Sequence, residues 1–244
     1  DLSPHQLAGI LPGELPRTPK PVNDLILSAT ESLYDGWLID SGGVEGLVSD
    51  YDFPNKKLRH ISVNHGLPLA AWRAVGHSFT AFAKETLMDE LAEMAGLNGF
   101  EFRRRNLQNN PRLLGALEAV EQGLEQWDIP AGHHIGISTH GSFQSFVAQA
   151  AEVSIEGNKI RVHRVLCAID CGAVINPDIV RAQIEGGIMF GLTAALYGNI
   201  EIENGAVVQS NFHDYKMLRI NEAPEVEVLI VETEQAPSGV GEPG

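Results

Sequence analysis

The sequence predicts an α+β fold with mixed or antiparallel sheets, in which hairpins and long helices pack together. Three observations favour it: apolar residues recur at helical spacing over two long stretches, side chains alternate with a period of two from Gly132 onward, and two strand pairs enclose Gly-Asn or Asn-Gly turns. The predicted strand pairs and long helices fall in separate runs of the chain, which disfavours a doubly wound parallel sheet.

The composition is that of a globular, acidic protein. Its 244 residues suffice for one large domain or two smaller ones. Of these residues 43% are hydrophobic and 20% are charged, as is usual for a protein that buries a core. No run of eighteen apolar residues indicates a membrane span. The 17 basic and 32 acidic side chains give a net charge of −15. Because binding to a phosphate backbone depends on clustered Lys and Arg, nucleic acid is not an expected partner.

Residues 1–34 are predicted to be a connecting segment, because they are rich in proline: Pro4, Pro12, Pro16, Pro19 and Pro21. Residues 35–244 form the main predicted domain. Strands, loops and helices are expected over residues 31–130, and hairpins, a glycine-rich helix and a closing loop over residues 131–244. Since the chain begins without Met and ends on the glycine of that loop, we expect it to be a piece of a longer polypeptide.

The earlier portion predicts an edge strand over residues 57–65 and then a long helix. Ser78 is the expected N-cap, and the helix is expected to end near Ala95, before Gly96. Its predicted core-facing side is apolar: Phe79, Phe82, Ala83, Leu87, Leu91 and Met94.

Two more helices follow in this portion. One is predicted to begin near Asn98 and to run through the short basic cluster Arg103-Arg104-Arg105, which we expect to be a solvated helix end. The other spans roughly residues 111–126.

The later portion predicts two hairpins, a helix and a final strand. The first hairpin pairs residues 147–155 with 160–169, and the second lies within 199–209. Asn176-Pro177 predicts the start of a helix that runs to Tyr197, because Asn caps helices and Pro suits the first helical position. Residues 225–231 alternate as a strand.

Three glycines interrupt that helix. Gly186, Gly187 and Gly191 each cost about 1 kcal/mol relative to Ala, so something is expected to approach the backbone closely. Helix-on-sheet packing and a bound cofactor both explain them, and periodicity alone favours packing.

The cysteines and histidines do not form a metal-binding pattern. Cys167 and Cys171 are four apart, too far to bridge on a strand, and are expected to be reduced core residues. His133, His134 and His140 have no acidic or Cys partners at ligand spacing and are expected on the surface or in the core. These cysteine and histidine side chains are therefore not predicted to ligate a metal.

The closing loop, Ser238 to Gly244, holds a single carboxylate. Three glycines and Pro243 restrict the backbone around Glu242, which makes it a plausible general base. The same composition is typical of a surface turn, and the loop taken alone favours the turn.

Three blocks, in this order, resemble the molybdenum hydroxylases. Trp72-Arg73-Ala74-Val75-Gly76 with Leu87-Met88-Asp89-Glu90-Leu91-Ala92 is similar to that family's FRGxG…MDELA stretch. Ala168 to Gly172, Asn176-Pro177 and Gln183 to Gly187 resemble its DxG…NP…GQxEGG segment, and Gly239 to Pro243 resembles its GVGEP loop. The stretches 141–143 and 211–215 narrow the likeness to the isoquinoline 1-oxidoreductase type of molybdenum-binding subunit, within the xanthine dehydrogenase and aldehyde oxidase superfamily.

The resemblance implies a molybdopterin cofactor, with the cytosine dinucleotide form as one option, and iron–sulfur clusters only in a partner subunit. It implies hydroxylation of an N-heteroaromatic or aldehyde carbon with oxygen from water. Glu242 matches the family's general base, and Arg73 matches the Arg that stabilises developing negative charge. The positions matched to cofactor binding are Gln183, Trp72, Ala74, Gly76, Gly186, Gly187 and Gly241.

The chain also departs from the family pattern. Val75 replaces the aromatic residue of the first loop, which removes aromatic stacking from that position. Asn98-Gly99 stands where relatives have Asp-Pro, which predicts a weaker helix cap. The family's earlier cofactor-binding loops have no counterpart, so we expect this chain alone to be inactive.

Two other hypotheses stay open at this point. One is a non-catalytic or incomplete fragment that provides a subunit-interaction surface. The other is an unrelated hydrolase that uses Glu242 and a histidine.

Overall fold

The computed structural model describes residues 41–48, 50–59, 61 and 72–244. The predicted connecting segment 1–34 lies outside them. The elements in chain order are α1 (Ser41–Val44), α2 (His77–Met94), α3 (Gly99–Arg105), α4 (Pro111–Leu124), β1 (His133–Ser142), β2 (Ser145–Glu156), β3 (Lys159–Asp170), α5 (Pro177–Tyr197), β4 (Ile202–Glu203), β5 (Ala206–Val207) and β6 (Glu225–Ile230).

The predicted edge strand over 57–65 is not seen where it can be checked. Residues 57–59 and 61 have no regular secondary structure, and the rest of that stretch lies outside the described residues.

The chain divides into two compact units. The first comprises Asp1–Ser49 and Phe53–Lys84, and the second comprises Asp50–Asp52 and Glu85–Gly244. In the first unit, the hydroxyl of Thr80 donates to the carbonyl of Glu45 at 2.7 Å and to that of Gly76 at 2.9 Å, which ties the beginning of α2 to the turn after α1.

A four-stranded mixed sheet forms the centre of the second unit. Its strand order is β1-β2-β3-β6, in which the β1–β2 and β2–β3 pairs are antiparallel and the β3–β6 pair is parallel. Strands β4 and β5 form a separate two-stranded hairpin. The predicted α+β fold with mixed sheets is therefore confirmed.

Helices cover both faces of the sheet. Because successive strand residues point to opposite faces, Val165, Cys167 and Ile169 of β3 share one side, where they pack with Ile184 and Ile188 of α5. Leu166 points to the other side, toward α4, where a Cβ added at Gly123 would come within 2.7 Å of its Cδ2 atom. Both cysteines are buried and free, as predicted.

The turns and caps follow local sequence signals. Gly157 has a φ of +65° in the turn between β2 and β3, and Gly96 has the same φ after α2. The side chain of Asn176 accepts hydrogen bonds from the amides of Asp178 and Ile179, both at 3.1 Å, and so caps α5 as predicted.

The cap of α3 forms although its sequence departs from the family pattern. The Asn98 side chain accepts from the Glu101 amide at 2.8 Å. A Cβ added at Gly99 would come within 2.9 Å of Ile137 Cδ1, so the glycine lets α3 approach β1 closely.

The predicted orientation of α2 is wrong. The helix begins at His77, so Ser78 is its second residue, and the Ser78 hydroxyl donates to Val75 O instead of capping. Much of the expected core face is exposed, including Phe82 at 75% and Met94 at 83%. The buried side is Thr80, Lys84, Glu85, Met88 and Ala92.

A buried ion-pair network explains the inward turn of the polar residues of α2. Arg103 is fully buried, where a solvated helix end had been predicted. Its guanidinium pairs with Glu85 at 3.0 Å and with Asp89 at 2.7 Å. Tyr51 OH lies 3.1 Å from both Glu85 carboxylate oxygens and 2.7 Å from the Thr139 hydroxyl. Burial and the adjacent Glu85 charge raise the pKa of Tyr51 far above its ordinary value, so the phenol stays protonated.

Helix α5 is long and apolar enough to cross a membrane, and among the helices of the described residues it alone has this length and composition. Such composition also occurs in helices that pack against a core, and one side of α5 lies against the sheet.

The ion-pair network predicts that Arg103→Met is strongly destabilising. The change leaves Glu85 buried without its cation, so the free energy of unfolding should fall by about 3–5 kcal/mol. Urea unfolding followed by circular dichroism measures the change. Arg105→Met on the same helix is the matched control, since Arg105 pairs with Glu101 on the surface and its loss should barely move the midpoint. Equal effects of the two changes would contradict the prediction.

Candidate functional site

The closing loop begins where two strands end. Since β6 runs parallel to β3, with Ile230 opposite Ile169, the carboxyl ends of both strands lie at the same edge of the sheet. In the structure the closing loop is longer than the Ser238–Gly244 stretch: residues 231–244 leave β6 there without helix or strand and run past the residues that follow β3. Three backbone hydrogen bonds hold the two segments together: Val231 N to Ile169 O at 2.8 Å, Ala173 N to Gln235 O at 2.8 Å, and Ser238 N to Cys171 O at 2.9 Å.

Gly172 is required at the closest point of this contact. Its φ is +74°, and a Cβ at this position would lie 2.1 Å from the Ala236 carbonyl oxygen. No side chain fits there, and an L-residue is also strained at that φ.

Asp170 is a fully buried carboxylate beneath the loop. It accepts from the Arg112 guanidinium at 2.6 and 2.8 Å, from Gly172 N at 2.9 Å and from the Thr233 hydroxyl at 3.1 Å. Burial opposes ionisation, but these hydrogen bonds outweigh it and hold the pKa of Asp170 below its ordinary value. The group is therefore a buried anion at neutral pH.

The turn between β1 and β2 holds the next part of the loop. Phe143 and Gln144 have φ values of +50° and +65°, which is uncommon for residues other than Gly. Phe143 O accepts from Gly239 N at 3.3 Å. The buried Ser145 hydroxyl donates to Gly239 O at 2.6 Å and lies 2.7 Å from the Ser238 hydroxyl.

Glu242 lies half-buried where the loop reaches α5. Before it, a Cβ added at Gly241 would lie 4.0 Å from Gln183 Oε1. After it, the backbone of Gly244 fills the space beside Gly187, where a Cβ would come within 2.7 Å of the Gly244 carbonyl oxygen. The structure thus brings together four of the residues selected from sequence: Glu242, Gly241, Gln183 and Gly187.

The helical glycines have different surroundings. The close approach at Gly187 is made by the loop backbone, which neither sequence-based explanation named. A Cβ at Gly186 or Gly191 would meet no atom within 4 Å among the described residues, so internal packing there does not require glycine. Gly186 and Gln183 are both exposed.

The Trp72–Gly76 stretch belongs to the first unit and forms a tight turn before α2. Val75 N donates to Trp72 O, and His77 N donates to Ala74 O, both at 2.9 Å. Ala74 and Val75 have φ values of +71° and +47°. A β-branched residue in this region is an outlier, and such backbone strain clusters at functional sites. Arg73 is half-buried within this turn, and Gly76 is buried.

Of the three histidines considered from sequence, His133 has defined partners in the structure. His133 pairs with buried Glu152 at 2.5 Å and stacks on His163 with ring centroids 4.1 Å apart. Within the described part of the chain, no group of three or more His, Cys, Asp or Glu side chains could hold a metal ion.

Sequence reasoning did not single out four residues that hold the loop: Arg112, Ser145, Asp170 and Thr233. Asp170 stood within a recognised block, but without a role. The others have no local pattern, because each acts on a residue far away in the sequence.

The close contact at Gly172 predicts that Gly172→Ala is more destabilising than the same change at another positive φ. Gly132 is the matched control, since its φ is +85° and no described residue has an atom within 4 Å of its Cβ position. Gly132→Ala should cost about 1–2 kcal/mol from backbone strain alone. Gly172→Ala should cost clearly more, because the Cβ also displaces the loop. Urea unfolding of both variants tests this, and equal losses would contradict it.

Comparison with known proteins gives the site its context. Models of the molybdopterin cofactor-binding domain match residues 82–224 and 34–107. The isoquinoline 1-oxidoreductase subunit beta of Brevundimonas diminuta is 34% identical over 212 residues, which cover 84% of this chain and 27% of that protein. A membrane-bound aldehyde dehydrogenase [pyrroloquinoline-quinone] of Gluconacetobacter polyoxogenes is 28% identical over 195 residues, covering 70% and 25%.

The fold is also found in a solved structure. Quinoline 2-oxidoreductase from Pseudomonas putida 86 superposes with a TM-score of 0.63 at 15% sequence identity, covering 72% of this chain and 48% of that one. The chain spans about a quarter of the length of the two relatives above, at 27% and 25%. Since one domain model matches more than half of its length, the chain belongs to the molybdopterin cofactor-binding domain family.

Proposed function

We propose that this chain is part of the molybdenum-binding subunit of a hydroxylase that oxidises an N-heteroaromatic or aldehyde carbon with oxygen from water. The observation that carries the proposal is the position of the closing loop. The residues on either side of Glu242 lie near α5: the Cβ position of Gly241 is 4.0 Å from Gln183 Oε1, and the backbone of Gly244 lies against Gly187. These distances support a position of Glu242 beside this turn of the helix. A general-base candidate and a cofactor-binding candidate therefore lie together.

The exposed side of α5 fits a molybdopterin. Gln183 offers an amide for hydrogen bonds, and Gly186 leaves its backbone open where a Cβ would meet no described atom within 4 Å. The space beside Gly187 is filled by the backbone of Gly244, so we propose that Gly187 allows the loop to pack against α5. We propose that Gln183, Gly186 and Gly241 of the second unit face the cofactor. For Trp72, Ala74 and Gly76 of the first unit, the proposed cofactor role rests on the resemblance of their sequence and on the strained turn that they form.

When bound, molybdopterin supplies a molybdenum centre that acidifies water and accepts two electrons from the substrate carbon. Glu242 accepts the proton that the attacking water loses, since a carboxylate fixed within hydrogen-bond reach is a suitable base. Arg73 stabilises the negative charge that develops on the substrate. The rigid backbone around Glu242 keeps this base in place without reorganisation during the reaction.

The two substrate classes follow from the relatives. One is named for isoquinoline and the other for aldehyde. Val75 provides no aromatic ring, so an aromatic substrate would need its stacking partner elsewhere.

Transfer of the electrons away from the cofactor requires iron–sulfur clusters, which other parts of the enzyme must supply. Both cysteines are buried, and burial raises their pKa values, so neither is suited to ligate a cluster. We propose an iron–sulfur partner subunit, the remainder of the same subunit, and the cytosine dinucleotide form of the cofactor. Exposed apolar side chains on α2 support additional protein contacts: Phe79, Phe82, Leu87 and Met94.

The role of Glu242 predicts that Glu242→Gln abolishes most turnover without loss of metal. In the assembled enzyme kcat should fall about 10²–10⁴-fold, because the amide cannot accept the proton. Molybdenum content, measured by mass spectrometry, should be unchanged. Glu234→Gln, at an exposed position of the same loop, is the control and should retain activity. Undiminished turnover of Glu242→Gln would remove the residue from the base role.

The open space at Gly186 predicts opposite effects of Gly186→Ala on stability and on cofactor content. Alanine should raise the free energy of unfolding by up to about 1 kcal/mol, because it favours the helix and meets no neighbour. In the assembled enzyme it should lower the molybdenum content, because the methyl group stands where the cofactor approaches. Gly115→Ala on α4 is the matched control, with the same open surroundings among the described residues, and should only stabilise. Full molybdenum content in Gly186→Ala would contradict the cofactor assignment.

The alternative of a non-catalytic fragment is tested by assembly. Co-expression of this chain with the rest of the subunit and the partner should give an enzyme that retains molybdenum. Assembly without molybdenum would favour a subunit-interaction role instead.

A further inference from the structure

We propose that Asp170 is a positioning residue for the closing loop, acting through Thr233 and Gly172. The inference rests on the proposed function, since the loop carries Glu242. It assigns a role to a buried charge that the proposed chemistry does not otherwise use.

The hydrogen bonds of Asp170 exceed what an ion pair alone requires. Oδ2 accepts from Arg112 Nε at 2.8 Å. Oδ1 is shared among three donors: Arg112 at 2.6 Å, Gly172 N at 2.9 Å and the Thr233 hydroxyl at 3.1 Å. One oxygen atom therefore connects helix α4, the segment after β3 and the beginning of the closing loop.

The bond to Gly172 sets the contact surface for the loop. With its amide directed at Asp170, Gly172 adopts a φ of +74° and lies directly against Ala236 O. Cys171 O is then available to accept from both the amide and the hydroxyl of Ser238, at 2.9 and 3.0 Å. The orientation of two successive residues after β3 thus depends on the same carboxylate.

The bond to Thr233 fixes the other side of the contact. Val231 N donates to Ile169 O at 2.8 Å, and two residues later the Thr233 side chain donates to Asp170. The loop is held again at Gly239 by the Ser145 hydroxyl at 2.6 Å, three residues before Glu242. A shift of the backbone at Thr233 therefore passes along a tightly held segment toward Glu242.

Among the ion pairs of the described residues, Arg112 is the one cation that pairs with Asp170. Arg112 is itself placed by the ring of Phe146, 4.7 Å from its guanidinium carbon, and by a hydrogen bond to Gln144 O at 3.2 Å. The ion pair thus also contacts the β1–β2 turn that supports Gly239. Asp170 and Arg112 connect both supports of the loop.

Thr233→Val is the sharpest test, because it removes one hydroxyl and keeps the shape. Replacing Asp170 itself would leave the half-buried Arg112 guanidinium without its carboxylate and would mix positioning with stability. Thr233→Ser keeps the donor and serves as the conservative variant. Thr193→Val is the matched control, since the half-buried Thr193 hydroxyl also donates a hydrogen bond, in this case to the Met189 carbonyl of α5 at 2.8 Å.

The measurements on the assembled enzyme are kcat, KM, molybdenum content and amide hydrogen exchange of residues 235–242. For Thr233→Val we expect exchange in this segment to accelerate and kcat to fall about tenfold, since small displacements of a catalytic group are costly. KM and molybdenum content should stay within about twofold, because the hydroxyl touches neither substrate nor cofactor. Thr233→Ser should restore both kcat and exchange, and Thr193→Val should change neither.

Unchanged exchange over residues 235–242 in Thr233→Val would overturn the proposal. So would a lower melting temperature with unchanged kcat, which would mark a purely stabilising contact. Failure of the proposed function gives a different result: Glu242→Gln would remain active. Accelerated exchange in Thr233→Val would then still support the positioning of the loop by Asp170.

Discussion

The parallel pairing of β6 with β3 is the constraint on which the site depends. Two antiparallel strands would send the chain back to the opposite edge of the sheet, whereas a parallel strand ends at the same edge as its neighbour. Ile230 and Ile169 are therefore paired, and the segments that follow them meet. Helix α5 follows β3 in the chain and precedes β6. The loop that leaves β6 therefore reaches the helix that begins just after β3.

Much of this arrangement could be predicted from local sequence. Asn176-Pro177 marks the start of α5 because a cap acts within one helical turn, and Gly157 marks a hairpin because a tight turn needs a positive φ. The orientation of α2 could not be predicted in this way. Its polar side faces inward because Arg103, which lies outside that helix, is buried against Glu85 and Asp89. Hydrophobic periodicity gives no information on such a pairing.

The candidate site also combines residues that local sequence identifies with residues that it does not. Glu242, Gln183 and Gly187 were selected from blocks of sequence, and the structure places them together in the second unit. The residues that support them were not selected. Ser145 resembles any other strand serine, and the turn at Phe143-Gln144 contains no glycine although both residues have positive φ. Each is defined by a partner almost a hundred residues away, as Ser145 is by Gly239.

These separations have a kinetic consequence. The contacts that hold the closing loop join residues 63, 67 and 94 positions apart along the chain. The β2–β3 hairpin needs only a two-residue turn and closes within microseconds, whereas contacts between distant residues form slowly because the chain must first lose loop-closure entropy. The β2–β3 hairpin is therefore in place before the contacts that hold Glu242 are. The segment that carries Glu242 is therefore expected to become ordered later in folding than the hairpin beside it.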